Sequence, residues 1–185
     1  MIKVKNNIEL ISGVDLLFNH KLEINNEKIE NMLSSLKNKY DLIIIDTSAE
    51  CFFNYNKSLI DNSDYCIFIS EGNLLEIQKS KRYLEMYINE WKIKKEKIHI
   101  LFNKHTKESI DYNILKEIFS DFDIIGKINL NEKYNLIINK TPKIDLLNIK
   151  LKKEYEKILN NLLIIGKEMK NYGISFRIKQ KLGIK

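Results

Sequence analysis

The stretch Tyr40 to Asp46, YDLIIID, decides the fold. Four aliphatic residues in a row, closed by an acid, are too few for a buried helix. They suit a strand covered on both faces, as in a parallel sheet. The same signature recurs at Tyr65 to Ile69 (YCIFI), at Ile98 to Phe102 (IHILF) and at Ile124 to Ile128. A shorter strand, Ile8 to Ile11, ends at Ser12-Gly13. Helical patterns fill the intervals. Asn25 and Asn26 are N-cap candidates for a helix to about Asn38, with Ile29, Met32, Leu33 and Leu36 on one face. Further helices fit Phe52 to Asn62, Leu74 to Trp91 and Tyr112 to Phe119. Leu147, Leu151, Tyr155, Ile158, Leu162 and Ile165 mark a long amphipathic helix near the end. Strands alternating with helices predict an α/β fold: a doubly wound, mostly parallel sheet with flanking helices.

Composition agrees with one globular domain. The chain has 185 residues, 44% of them hydrophobic and 30% charged, enough to build a core without staples. One Pro and 6 Gly exclude collagen-like and low-complexity architectures. Cys51 and Cys66 form neither a disulfide framework nor a CxxC pair, which points to a reducing compartment. No apolar run approaches the roughly 20 residues of a membrane span, and MIKVKNNIEL lacks a signal-peptide block. A cytoplasmic protein is expected. The net charge of +6 is uneven. Within Gly166 to Lys185, Lys167, Lys170, Arg177, Lys179, Lys181 and Lys185 stand against Glu168 alone, so five of the six net charges lie there. The reading is therefore a domain over 1–165 and a basic tail over 166–185. A nearly neutral body does not suit nucleic acid.

Ligands of open α/β sheets bind outside the carboxyl ends of the strands. Those ends read Asp46-Thr47-Ser48-Ala49-Glu50, Ser70-Glu71-Gly72-Asn73, Asn103-Lys104-His105-Thr106 and Asn129-Leu130-Asn131. An acid after an apolar strand is a common holder of Mg²⁺ near phosphates, and equally a cap for the turn that follows. Asn103 reads as a base contact or as a polar strand end. Asn103-Lys104 opens like the guanine-reading NKxD, but Thr106 stands where its aspartate belongs, so a GTPase is not expected. His20, His99 and His105 share no metal-ligand spacing. Tyr83, Tyr87 and Trp91 recur at four-residue steps, a packing stripe rather than a base-stacking platform.

In order, YDLIIIDTSAE, NSDYCIFISEGNLLEIQKSKRYLEMY, HILFNKHTKES and IIGKINLNEKYNLIINKTP resemble the C-terminal two-thirds of ParA/MinD-type ATPases, the deviant-Walker-A P-loop family. Relatives that position pilus, secretion or conjugation machinery (CpaE/TadZ-like) look nearest. The resemblance implies that Asp46 organises Mg²⁺ and that Asn103 meets adenine. It further implies that Asn129 and Asn131 lie on the adenine-lining loop, that Pro142 closes the segment after it, and that Mg-ATP is the cofactor. The family's glycine-rich, lysine-bearing phosphate loop has no counterpart here: the chain contains no GxxxxGK[ST]. Ser48 and Glu50 stand where the family has proline and glycine. The expectation is a truncated or degenerate domain that does not hydrolyse ATP by itself and works as a homodimer or with a partner protein. The rivals are the C-terminal part of an active ATPase whose phosphate loop lies on another segment, and a plain α/β interaction module. The tail through Arg177, Lys179, Lys181 and Lys185 could meet a membrane surface. Its apolar residues Ile174, Phe176, Ile178, Leu182 and Ile184 fall on even positions, however, which is the period of a strand.

Overall fold

The structure is a computed structural model that describes residues 2–5, 8–11, 25–47, 54–131 and 149–170. Its centre is a three-stranded parallel sheet in the order β3-β4-β5. β3 spans Cys66–Glu71, β4 Ile98–His105 and β5 Asp123–Asn129. β1, Ile2–Lys5, and β2, Ile8–Leu10, make a separate antiparallel hairpin. The helices are α1 Asn26–Lys37, α2 Asn54–Asp61, α3 Leu74–Asn89, α4 Tyr112–Ile118 and α5 Ile149–Lys170. The alternation read from the sequence is thus present, and the fold is α/β with helices on both faces of a parallel sheet.

Side-chain alternation divides the packing in two. From β4, Ile98, Ile100 and Phe102 point to one face and meet Ile77, Leu84 and Tyr87 of α3 and Leu115 of α4. Leu101 points to the other face, where Ile125 and Ile128 of β5 meet Leu151 and Ile158 of α5. A central parallel strand is covered on both faces, which is why IHILF is apolar throughout. Tyr87 stacks on Trp91 at 4.8 Å, so the aromatic stripe belongs to packing. Ile125 and Ile128 share a face although three residues apart, because the β4–β5 register shifts between Ile100 and Leu101. Gly126 sits in that irregularity with φ of +156°, and a Cβ there would stand 3.0 Å from Cγ1 of Ile158. Only glycine fits that approach.

Helix starts follow chemistry legible in the sequence. Asn25 Oδ1 accepts from the N–H of Lys28 at 2.9 Å, and Asn73 Oδ1 from that of Glu76 at 3.0 Å. Each satisfies one of the orphan amides of a first turn. Cys66 is half-buried in β3, and burial pushes its thiol up to about 11.

One element departs from expectation. Tyr40 to Asp46 has no regular secondary structure and joins no ladder with any described strand. Leu42 is 59% and Ile44 84% exposed, so the segment is not buried on both faces. Apolar sequence makes a strand only where a neighbouring strand supplies backbone partners, and no described strand pairs with this segment. Its start is tied instead to the hairpin: the Tyr40 hydroxyl donates to the Glu9 carboxylate, and Lys39 Nζ lies 3.4 Å from Glu9 Oε2. Leu147, His20, Cys51 and Pro142 lie outside the described residues.

Candidate functional site at the carboxyl edge

Parallel registry brings Glu71 of β3 beside Asn103 of β4, and His105 of β4 beside Asn129 of β5. The carboxyl ends of three strands therefore converge, and the residues there are tied to one another. Lys104 adopts a left-handed backbone, φ of 52°. Such a conformation is disfavoured for a side chain with Cβ, and Asn103 Oδ1 supports it by accepting from the Lys104 N–H at 2.9 Å. This turn sends Lys104 Nζ across to Glu71 Oε1 at 2.7 Å. The hydrogen bond to Glu71, with its charge, holds the ammonium above the usual lysine range. Asn103 thus uses its oxygen on its own turn. Its side-chain amide nitrogen donates no hydrogen bond among the described residues.

His105 closes β4 and is buried, with Nδ1 lacking a partner. Burial keeps the imidazole below its ordinary pKa, Lys127 adds to this, and Asp111 opposes it. The ring stands edge-on to Tyr112 at 6.4 Å. The turn after it is self-capped: Ser109 Oγ accepts from the Thr106 N–H at 3.0 Å, and Thr106 Oγ1 from that of Glu108 at 3.2 Å. The same turn is clamped to β3, because the Ile110 N–H donates to the Gly72 carbonyl at 2.8 Å. A Cβ on Gly72 would approach Ser109 Cβ to 3.1 Å and His105 Nδ1 to 3.3 Å.

Asn129 is held by α5. Its backbone N–H donates to Glu154 Oε2 at 3.1 Å, and its side-chain amide donates to Glu154 Oε1. Leu130 continues the edge by donating its N–H to the His105 carbonyl at 2.9 Å. Asn131 follows, half-buried. Asn103, Asn129 and Asn131 therefore lie on adjacent strand ends. Asp46 does not join them: it is exposed at the end of the unpaired segment and has no hydrogen-bond or ion-pair partner among the described residues. No group of three His, Cys, Asp or Glu side chains that could hold a metal occurs among the described residues. As a carboxylate that stands alone, Asp46 offers one ligand to Mg²⁺.

The pair Glu71–Lys104, the buried His105 and the Glu154 clamp are not visible in sequence. Glu71 and Lys104 lie thirty-three positions apart, and only the register of β3 on β4 joins them. The sole hint is that each lies just past an apolar run, Glu71 at the last position of β3 and Lys104 at the last but one of β4.

The fold is an α/β domain built on a parallel sheet with helices on both faces. No protein-family model and no curated protein matches the chain. Solved structures do. The MinD cell division protein of Aquifex aeolicus superposes with a TM-score of 0.61 at 18% identity, covering 83% of this chain and 64% of that one. The MinC:MinD cell division protein complex of the same organism gives a TM-score of 0.61 at 17% identity, covering 85% of this chain and 63% of the matched one. The likeness is one of fold, and the chain spans less than two-thirds of the length of the chains it matches. No described helix is long and apolar enough to cross a membrane.

Proposed function

We propose that this chain is a degenerate ParA/MinD-like domain that serves in spatial organisation or assembly, in partition, pilus, secretion or conjugation machinery. In this role it recruits a protein and does not hydrolyse ATP by itself. One observation carries the reading: the ligand-facing ends of a MinD-like sheet are closed on themselves. Lys104 is spent on Glu71, the Asn103 oxygen on its own turn and Asn129 on Glu154. The only early glycine in the sequence, Gly13, offers no phosphate loop. That a solved MinD is in complex with MinC supports a protein as the partner class. The CpaE/TadZ-like assignment, homodimerisation, cytoplasmic location and contact with a membrane surface through the tail are part of the same proposal.

Calorimetric titration of the 185-residue protein with Mg-ATP tests it. The expected result is no saturable heat up to about 1 mM, a free energy near −4 kcal/mol. Saturable micromolar binding would overturn it.

A second reading has its own support. The exposure of Leu42 and Ile44 suits a domain that lacks a neighbouring segment, here one bearing the phosphate loop of an active ATPase. The intact mass of the native protein decides: a species clearly above 22.0 kDa favours this reading. In such a completed protein Asp46→Asn abolishes Mg²⁺-dependent ATP binding and leaves the fold intact. If affinity is unchanged, Asp46 is structural only.

A further inference from the structure

The two edges of the β3-β4-β5 sheet are built differently. β5 carries two register shifts against β4, a glycine at position 126, and the charged side chains Asp123 and Lys127. These are devices that discourage further pairing. β3 pairs with β4 without a break from Cys66 to Glu71, and its residues Cys66 to Ser70 include no charge, proline or glycine. Its side away from β4 pairs with no described strand. On the face that α5 covers at β4 and β5, β3 leaves Ile67 41% and Ile69 60% exposed.

This edge is complementary to itself. A two-fold axis normal to the sheet at Phe68 runs a second β3 antiparallel along the first. Phe68 then stands opposite its own copy, Ile67 opposite Ile69 of the second copy, and Cys66 opposite Ser70. Directly opposite residues of an antiparallel pair share a face of the sheet. The alternation meets that condition, with Ile67 and Ile69 on one face and Cys66, Phe68 and Ser70 on the other. Two β-branched pairs form, and no like charges are opposed between Cys66 and Ser70.

The helix layers permit the same axis. Ser80 Oγ of α3 lies 2.7 Å from Ser70 Oγ of β3, and the Tyr87 ring lies 6.0 Å from that of Phe68. α3 also meets Ile98, Ile100 and Phe102 of β4, so it lies over the boundary between the two strands. With strands about 4.8 Å apart, the axis brings the two α3 helices to about 10 Å, the spacing of packed helices. The α5 helices, over β4 and β5 on the other face, stand about 19 Å apart and do not collide. Tyr83 is half-buried and continues the stripe of Ser80 and Tyr87 at three- and four-residue steps, on the β3 side of α3. A tyrosine there suits the centre of an interface. A five-residue ladder alone buries less than the roughly 1,200 Å² of a stable interface, and the α3 contact adds to it.

We infer that two copies of this chain join through their β3 edges, in a continuous six-stranded sheet with α3 against α3. The contact is isologous and the outer β5 edges are guarded, so assembly closes at two. The inference rests on the first reading of function and gives its homodimer a surface, because a phosphate-loop strand from another segment would compete for the same edge.

Sedimentation velocity of the 185-residue protein at about 100 µM tests it. The expected mass is twice 22.0 kDa. Ile69→Lys puts a charge into the ladder at an exposed position and should weaken the dimer at least about 100-fold, with the circular dichroism unchanged. Tyr83→Asp should weaken it through the helix contact. In a parallel ladder half of the β3 amides face away from β4, and these should exchange more slowly as protein concentration rises. A monomer at about 100 µM would overturn the inference, whether its β3 edge is bare or covered by the chain itself. So would a dimer that neither Ile69→Lys nor Tyr83→Asp weakens, because it must use another surface. The Mg-ATP titration is a separate readout, so failure of the edge pairing and failure of the functional reading are distinguishable.

Discussion

Two histidines carry the pH response of the sheet. His99 sits in the middle of β4, 1% exposed, and neither ring nitrogen has a hydrogen-bond partner. Asp123 Oδ2 lies 3.7 Å away but is itself 68% exposed, so water screens its attraction. Burial therefore dominates and lowers the pKa from the ordinary 6.5, with Asp123 opposing. The His105 pKa moves the same way for the same leading reason. The neutral ring is preferred in the folded state, whereas the unfolded chain takes up protons near 6.5. Stability is therefore level above that pH and falls as pH drops below it. Urea melts at pH 7.5, 6.0 and 5.0 should show this decline, and His99→Leu should flatten it. Removing unsatisfied buried nitrogens at similar volume should also leave stability at pH 7.5 unchanged or raised. A glycine gives the opposite outcome. Gly126→Ala forces a Cβ against Ile158 at a backbone angle that suits glycine, and should cost about 1–3 kcal/mol in urea melts.

At the scale of elements, caps and exposures separate what each segment needs. Asn73→Ala removes the cap of α3 and should cost about 1 kcal/mol, read as a lowered Tm. The segment Tyr40 to Asp46 gives a sharper contrast. If it were a strand buried on both faces, a lysine there would cost several kcal/mol. Ile44 is 84% exposed, so Ile44→Lys should change stability by less than about 0.5 kcal/mol. The identity of β3, β4, β5 and the helices was legible from period and caps. Their ends were not: β4 runs on to His105 and β5 to Asn129, so Asn103 and Asn129 lie within their strands rather than just beyond them. Backbone pairing with a neighbour extends a strand through polar residues, and that neighbour is not written in the local sequence. The hairpin partner Ile2–Lys5 was missed because IKVK carries too little apolar signal to announce a strand.

Across the whole molecule, stability rests on the two faces of β4. Phe102 is fully buried and meets Phe119 at 5.8 Å and Tyr112 at 6.4 Å. Phe102→Ala should cost about 3–5 kcal/mol, a large part of the 5–15 kcal/mol of a typical domain. A chemical melt of this variant, beginning at or near zero denaturant, would show it. The alternation of apolar runs with helical patterns determined an α/β fold, and the runs marked its parallel strands β3, β4 and β5. The sequence by itself also placed Asn103, Asn129 and Asn131 at strand ends. Tertiary structure alone decided that Lys104 and Asn129 are engaged by partners, since Glu71 and Glu154 reach them only through strand register and helix docking. It also decided that LIIID stands outside the sheet. Hydrophobicity specifies that a segment prefers burial, but which backbone edge receives it is settled by the strands that fold beside it.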